Sequence, residues 1–172
     1  MPADPHIENA LTELFGKSRP TRWVTRERPK IDRIACPWLV RRFVDPAATF
    51  FYVPTDVVFE AAKREHAVAY DIKGAVFSHV GPNCSFDAFI EHFGLRDHAL
   101  AHVADIVRAA DTGRPEDSPQ AHGLLAISLG LSVQFADDLA MLDVGLIVYD
   151  ALYAWARSAR QERHTWTPGG SA

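Results

Sequence analysis

Apolar and polar positions change period several times along the chain, and each change predicts an element. Ile7, Leu11, Leu14 and Phe15 recur at helical spacing. They predict a short amphipathic helix over residues 5–17, broken by Ser18-Arg19-Pro20. Trp23-Val24-Thr25 can form a strand. Pro37 suits the first turn of a helix, where its missing N–H costs nothing. The next helix is therefore expected from Cys36 or Pro37 to Val44. Cys36, Leu39, Val40 and Phe43 then face inward, and Trp38, Arg41 and Arg42 share another side. An indole–guanidinium contact is feasible there.

Thr49 to Val53 is a β-rich run. Residues 56–66 read as a helix, and 68–80 as one or two short strands around Lys73-Gly74. Gly81-Pro82-Asn83 is a turn. Ser85 caps a helix that runs through Phe93 and stops at Gly94. Asp97 opens another through about Ala110. Residues 111–119 are loop-like, and Ser118-Pro119 starts a helix that ends at Gly130. The last helix, residues 137–158, is apolar nearly all round, with Asp143, Asp150 and Arg157 in one narrow stripe. Such a helix is central in a core or sits in an oligomer interface. The expected class is α+β, with a small sheet from the first half packed with a mostly helical second half. Residues 1–20 form an N-terminal helix or extension, 21–167 a single domain, and 168–172 a flexible tail that continues a loose stretch after Arg160.

Composition places this pattern in an ordinary globular protein: 172 residues, 48% apolar and 23% charged, enough for one domain. No apolar run approaches the ~18 residues of a membrane span. The N-terminus lacks the pattern of a signal peptide. Two cysteines, Cys36 and Cys84, are no disulfide framework. A cytoplasmic protein with reduced thiols and no membrane partner is expected. The net charge of −4 hides an asymmetry: residues 17–42 hold nine Lys or Arg against two acids, and the remainder nine against twenty. A basic segment on an acidic body suits an anionic partner, whether a small oxyanion, a phosphate group or nucleic acid. It equally suits a basic arm docked on the protein's own acidic surface.

The basic segment is also where candidate chemistry is densest. Lys30, Arg33, Arg41 and Arg42 could bind a tetrahedral oxyanion through paired hydrogen bonds, or form salt bridges with the acidic half. Asp32 could simply hold Arg33. Cys36, at a helix N-terminus near bases, could be an activated thiolate or a small buried side chain. His79, Cys84 and Asp87 flank a strand–turn–helix that could bring them to one transition metal. The plainer reading is a turn with a backbone-bonded His79 and a buried Cys84. His98, His102 and Asp105 have metal-compatible spacing but lie opposite the apolar side of their helix, on a solvated face. Asp111, at the end of that helix, is better placed to reach a pocket. His122 and His164 have no identifiable partner. A Gly-rich phosphate loop, zinc-finger spacing, nucleophile elbow and dinucleotide fingerprint are all missing.

The blocks RPKIDRIACPWLVRRFVDP, FSHVGPNCSFDAFIEHFGL, IVRAADTG, GLLAISLGLS and DDLAMLDVGLIVYDALYAW resemble the chromate-resistance family, specifically the C-terminal domain of ChrB proteins. The resemblance runs from about Trp23 to Trp166. It touches Lys30, Asp32, Arg33, Cys36, Trp38, Arg41, Arg42, His79, Cys84, Asp111, Tyr149, Asp150 and Trp155. It implies a part in chromate resistance or in chromate-responsive control of resistance genes. It assigns no catalytic set. Longer family members carry an additional N-terminal region; if DNA binding resides there, this chain is not a complete repressor. Some relatives resemble a His-acid-x-Asp pattern where this chain has Arg108-Ala109-Ala110-Asp111, and a metal site using that histidine would be altered here.

Taken together, the expectation is a cytosolic chromate-resistance protein that binds chromate or a metal ion in sensing or detoxification. Lys30, Arg33, Arg41 and Arg42 would hold the anion. Cys36 and Cys84 would be thiol reductants or soft ligands, and His79 and Asp111 ligands of one divalent transition metal. The alternatives are a chromate-responsive DNA-binding regulator and a metal-dependent, reductase-like enzyme. A pI near 6.0 is low for a DNA-binding module, so DNA is the less favoured partner. The last helix leaves room for a homo-oligomer.

Overall fold

The computed structural model describes residues 4–163. Its centre is strand β1 (Arg22–Arg26), whose Trp23, Val24 and Thr25 are all buried. A strand buried on both faces belongs in the middle of a parallel sheet, and β1 pairs in parallel with β2 (Thr49–Val53) and β3 (Val68–Ala69). The order is β2-β1-β3, with Trp23 opposite both Phe50 and Val68. Helix α3 (Val58–Glu65) follows β2 and closes a small apolar layer of Val24, Val58, Ala61 and Ala69. On the other side, Trp23 meets Phe15 at the end of helix α1 (Pro5–Phe15) and Phe77, Phe89 and Phe93 of the main core. Asp4 caps α1, and the expected apolar face holds, with Leu11 fully buried.

The second half is helical: α4 (Ser85–His92), α5 (His98–Asp111), α6 (Ala121–Gln134) and α7 (Asp138–Ser158). The architecture is α+β as expected, a three-stranded sheet from the first half with a mostly helical second half. Boundaries differ in places. Between residues 68 and 80, β3 is joined by two isolated bridges, Tyr70–Phe77 and Val80–Asn83. Helix α6 starts after Gln120 and runs past Gly130 to Gln134. The tail at 168–172 and His164 lie outside the described residues.

Helix α2 (Asp32–Leu39) is the main correction. It begins four residues before Cys36, so Pro37 lies inside it. It then widens over Val40–Val44, where Asp45 N–H reaches Val40 C=O at 2.8 Å. A proline inside a helix leaves the carbonyl four residues back without its donor. Here that carbonyl is Arg33's. It accepts from Tyr52 Oη of β2 at 2.7 Å, with Tyr70 Oη at 3.4 Å. Two buried phenols supply what the backbone cannot, which is why the local rule misplaces the helix start.

Cys36, Leu39 and Val40 are buried as expected, but Trp38 is buried too. Its ring lies among Phe86, Tyr149 and Tyr153, and its Nε1–H donates to Asp150 Oδ1 of α7 at 2.9 Å. Arg41 and Arg42 therefore stack on Phe50 and Tyr153 rather than on the indole.

Helix α7 crosses α2 where Gly145 meets Ile34; a Cβ at Gly145 would lie 2.5 Å from Ile34 Cγ2. One face of α7, including Met141, Leu142, Tyr149 and Tyr153, is buried, while Leu139 and Ile147 are exposed, as are Ile127, Leu129 and Val133 of α6. In length and composition α7 reaches what a membrane-crossing helix needs, although the sequence expectation saw no such run.

Two outcomes check this account. Tyr52→Phe should cost about 0.5–1.5 kcal/mol, the net worth of one hydrogen bond, because only the longer Tyr70 bond then remains. The loss should shrink in a Pro37→Ala background, where a backbone N–H returns, and equal losses in both backgrounds would refute the pairing. Gly145→Ala should destabilise by about 1–3 kcal/mol through overpacking, read by urea unfolding.

Candidate metal centre

Four polar side chains arrive at one place from four parts of the chain. Asp32 is the first residue of α2, Asp71 follows β3, His79 precedes the turn into α4, and Asp111 is the last residue of α5. Tight local backbone sets two of them. Ile31 has φ +40°, a conformation a β-branched residue avoids. It is pinned there: its N–H donates to Ser128 Oγ at 3.1 Å and its C=O accepts from Tyr149 Oη at 3.2 Å. Asp71 has φ +49° and its N–H reaches Phe77 C=O at 2.8 Å. Behind His79, Val80 and Asn83 exchange two backbone bonds of 3.1 Å around Gly81, whose φ is +58°.

His79 Nε2 lies 3.0 Å from Asp111 Oδ2, 3.4 Å from Asp71 Oδ1 and 3.5 Å from Asp32 Oδ2. Asp32 is fully buried. Its Oδ2 accepts from Ser85 N–H at 2.6 Å, at the N-terminus of α4, where the helix dipole favours an anion. Its Oδ1 has no hydrogen-bond partner. Ser85 Oγ donates to Asp71 Oδ1 at 2.8 Å, so one serine orients two carboxylates. Arg26 and Arg33 hold Asp71 Oδ2, at 3.0 and 3.4 Å.

Three carboxylates around one imidazole shift the titration of the group. Hydrogen bonding to Asp32, helped by the charges of Asp111, Asp32 and Asp71, raises His79 to about 9 against its partial desolvation. Burial, then the charges of Asp32 and Asp71, pushes Asp111 up to about 7. Burial also raises Asp32, in opposition to its bond with His79. The cluster thus favours taking up protons or another positive charge.

Asp32, His79 and Asp111 each offer one donor atom, all within 4.8 Å of one another. Bonds of about 2.0–2.2 Å place two ligands of one cation no more than about 4.4 Å apart, so small rotations close the site. Two carboxylates and one imidazole suit Mn²⁺, Fe²⁺, Co²⁺ or Zn²⁺. Three protein ligands leave positions for an outside ligand.

The structure places the other candidates elsewhere. Cys36 and Cys84 are fully buried, and burial raises both thiols, favouring SH over thiolate. Cys84 caps α4 and its Sγ donates to Asp87 at 3.4 Å, while Asp87 is gripped by Arg108 at 2.6 and 2.8 Å. Lys30 is exposed. Arg33 serves Asp71 and the carbonyls of Arg26 and Glu27, not Asp32. Arg41 and Arg42 line a separate cavity of about 210 Å³ with Trp38, Leu146 and Asp150. The four basic residues therefore do not meet in one pocket. Much of the basic segment is bound to the protein's own acids: Arg19–Glu8, Arg22–Glu65, Arg26–Asp71, Arg28–Asp138, Arg33–Asp71 and Arg42–Asp150.

His79 and Asp111 are legible in the sequence, whereas Asp32 is legible only as a link to Arg33 and Asp71 not at all. A helix starting at Pro37 puts Asp32 in a loop. The signal for Asp71 is its position just past a parallel strand's C-terminal end, where such sheets place their sites.

Comparison with known proteins gives one family model: ChrB, C-terminal domain, over residues 23–156. Protein ChrB of Cupriavidus metallidurans is 34% identical over 168 residues, covering 93% of this chain. The chain spans about half the length of that relative, 49%. No solved structure matches.

The charge demand predicts a pH dependence in chelator. A histidine whose folded value lies above its unfolded value contributes stability that is present below about 6.5 and lost as pH rises through about 9. A carboxyl raised to about 7 acts in the same direction, penalising the fold progressively as pH rises from its unfolded value of 3.8 through about 7. The melting temperature should therefore fall between pH 5 and pH 9. Asp111→Asn should flatten the lower part of that fall. A melting temperature that rises over this range contradicts the assignment.

Proposed function

The chain belongs to the ChrB C-terminal domain family, and from that premise we propose that it is a chromate-resistance protein that holds one divalent transition-metal ion on Asp32, His79 and Asp111. The observation that carries this reading is Asp32 Oδ1, a fully buried carboxylate oxygen with no hydrogen-bond partner, in a cluster of three carboxylates and one imidazole. An ion network kept only for stability would satisfy that oxygen, because a buried unpaired charge is costly. A cation supplies the missing partner.

The ligands belong to α2, the segment before α4, and the end of α5. Loading would tie these three together, which gives the site a route to report metal occupancy to the rest of the fold. That suits sensing. It also leaves open positions for metal-assisted detoxification. A thiol reductant has less support, since both cysteines are buried and held protonated. DNA contact through residues 17–42 has less support too, because six of the nine basic side chains there pair with the protein's own carboxylates.

The test is calorimetric titration of chelator-stripped protein with Mn²⁺, Co²⁺ and Zn²⁺, with elemental analysis after dialysis. One ion per chain is expected. Asp32→Asn and His79→Ala should abolish tight binding. Ser85→Ala, which removes an orienting hydroxyl, should weaken it by about 10–100-fold. Absence of stoichiometric binding, or unchanged affinity in Asp32→Asn, would remove the proposal.

A further inference from the structure

A cavity of about 460 Å³ opens beside the cluster. Of the cluster, His79 and Asp71 line it, together with Arg26, Lys73, Ser78 and Gly74, while Asp32 and Asp111 lie behind His79. This volume falls in the range that small-molecule sites use, roughly 300–1,000 Å³. Its polar groups are unevenly committed. Arg26 is bound to the carboxylate and carbonyl of Asp71. Lys73 is exposed and Ser78 half-buried, and neither makes a side-chain hydrogen bond or ion pair with another described residue. An ammonium and a hydroxyl on one cavity wall, beside a candidate cation site with open positions, are the groups that recognise an oxyanion.

We infer that this cavity takes a ligand bearing an oxyanion group, held between Lys73, Ser78 and the cation on Asp32, His79 and Asp111. The inference rests on the metal reading above. It also fixes an order of binding. Without a cation, Asp32 and Asp111 share the imidazole of His79, and Arg26 and Arg33 are engaged with Asp71. A bound cation adds positive charge and open coordination positions, so the anion should bind the metal-loaded protein more tightly than the stripped one. The cavity at Arg41 and Arg42 is a weaker anion site, because Arg42 is paired with Asp150 at 2.9 Å and Arg41 is bonded to Ala48 C=O at 3.1 Å.

The oxyanion group could belong to a free tetrahedral dianion or to a larger organic phosphate, and the probes separate the two. The full chain is loaded with Mn²⁺ and titrated calorimetrically with sulfate (a redox-inert match for chromate), inorganic phosphate and phenyl phosphate. Water-proton relaxation of the bound Mn²⁺ is followed in parallel. The expected result is saturable anion binding with loss of relaxation enhancement as metal-bound water is displaced. Affinity should fall at least tenfold in stripped protein. Lys73→Ala should weaken the anion at least tenfold and leave Mn²⁺ affinity within twofold. Tighter binding of phenyl phosphate than of sulfate identifies an organic phosphate as the ligand class, and the reverse identifies a free dianion; either supports the inference. If Mn²⁺ fails to bind, the metal reading itself falls, and this inference with it. If Mn²⁺ binds but no anion does, or the anion binds stripped protein equally well, or Lys73→Ala changes nothing, the inference is overturned while the metal reading stands.

Discussion

The carboxylate of Asp32 is the constraint around which the fold is arranged. It sits at full burial in the angle between α2 and α4, and a bare charge there would be costly. The structure meets part of the cost locally: the first N–H of α4 donates to one oxygen, and the imidazole of His79 lies against the same oxygen. Ser85 then passes the arrangement on to Asp71, and Asp71 to Arg26 and Arg33. One buried charge thus fixes the approach of α4, the conformation of the segment after β3, and the direction of two arginines. What it does not settle is its own second oxygen.

Helix α2 carries that carboxylate, and its position is held from several sides. Two phenols fill the gap that Pro37 leaves in its hydrogen bonding. Tyr149 and Ser128 hold the strained residue just before it. Trp38 binds Asp150 of α7, and Gly145 lets α7 come close enough for that bond. These contacts join α2 to β2, the residue after β3, α6 and α7, so the start of α2 is pinned and Asp32 with it. Groups that must sit within a few tenths of an ångström of a shared point need this kind of support.

Charge follows the same logic. The positive segment near the N-terminus looked like a surface for an anionic partner. In the fold, six of its nine basic side chains pair with the protein's own carboxylates, and two of these pairs, Arg28–Asp138 and Arg42–Asp150, tie the first half to the second. Arg28 is the plainest case. It reaches Asp138, the carbonyls of Phe135 and Ala136, and Ser132, and so straps the α6–α7 connection to the residues before α2. Lys73, outside that segment, lines the cavity beside the cluster.

Local chemistry in the sequence determined the helices with clear periodicity: Asp97 caps α5 where the pattern places it, and α1 and α7 form near their expected bounds, whereas α4 starts from Cys84 and the expected cap, Ser85, holds Asp71 instead. It determined the strands at 22–26 and 49–53, the class of the fold, and the family. It reached His79 and Asp111 because a histidine beside a turn and an aspartate at a helix end are visible as candidates. It could not place Asp32 or Trp38. The start of α2 depends on donors from Tyr52 and Tyr70, 19 and 37 residues away from Arg33, and the burial of Trp38 depends on Asp150, 112 residues away. Residue spacing reports only what the backbone can satisfy within a few positions. Where a proline's lost bond or an indole's N–H is met across the core, tertiary structure alone decides, and the site at Asp32 is built on those distant bonds.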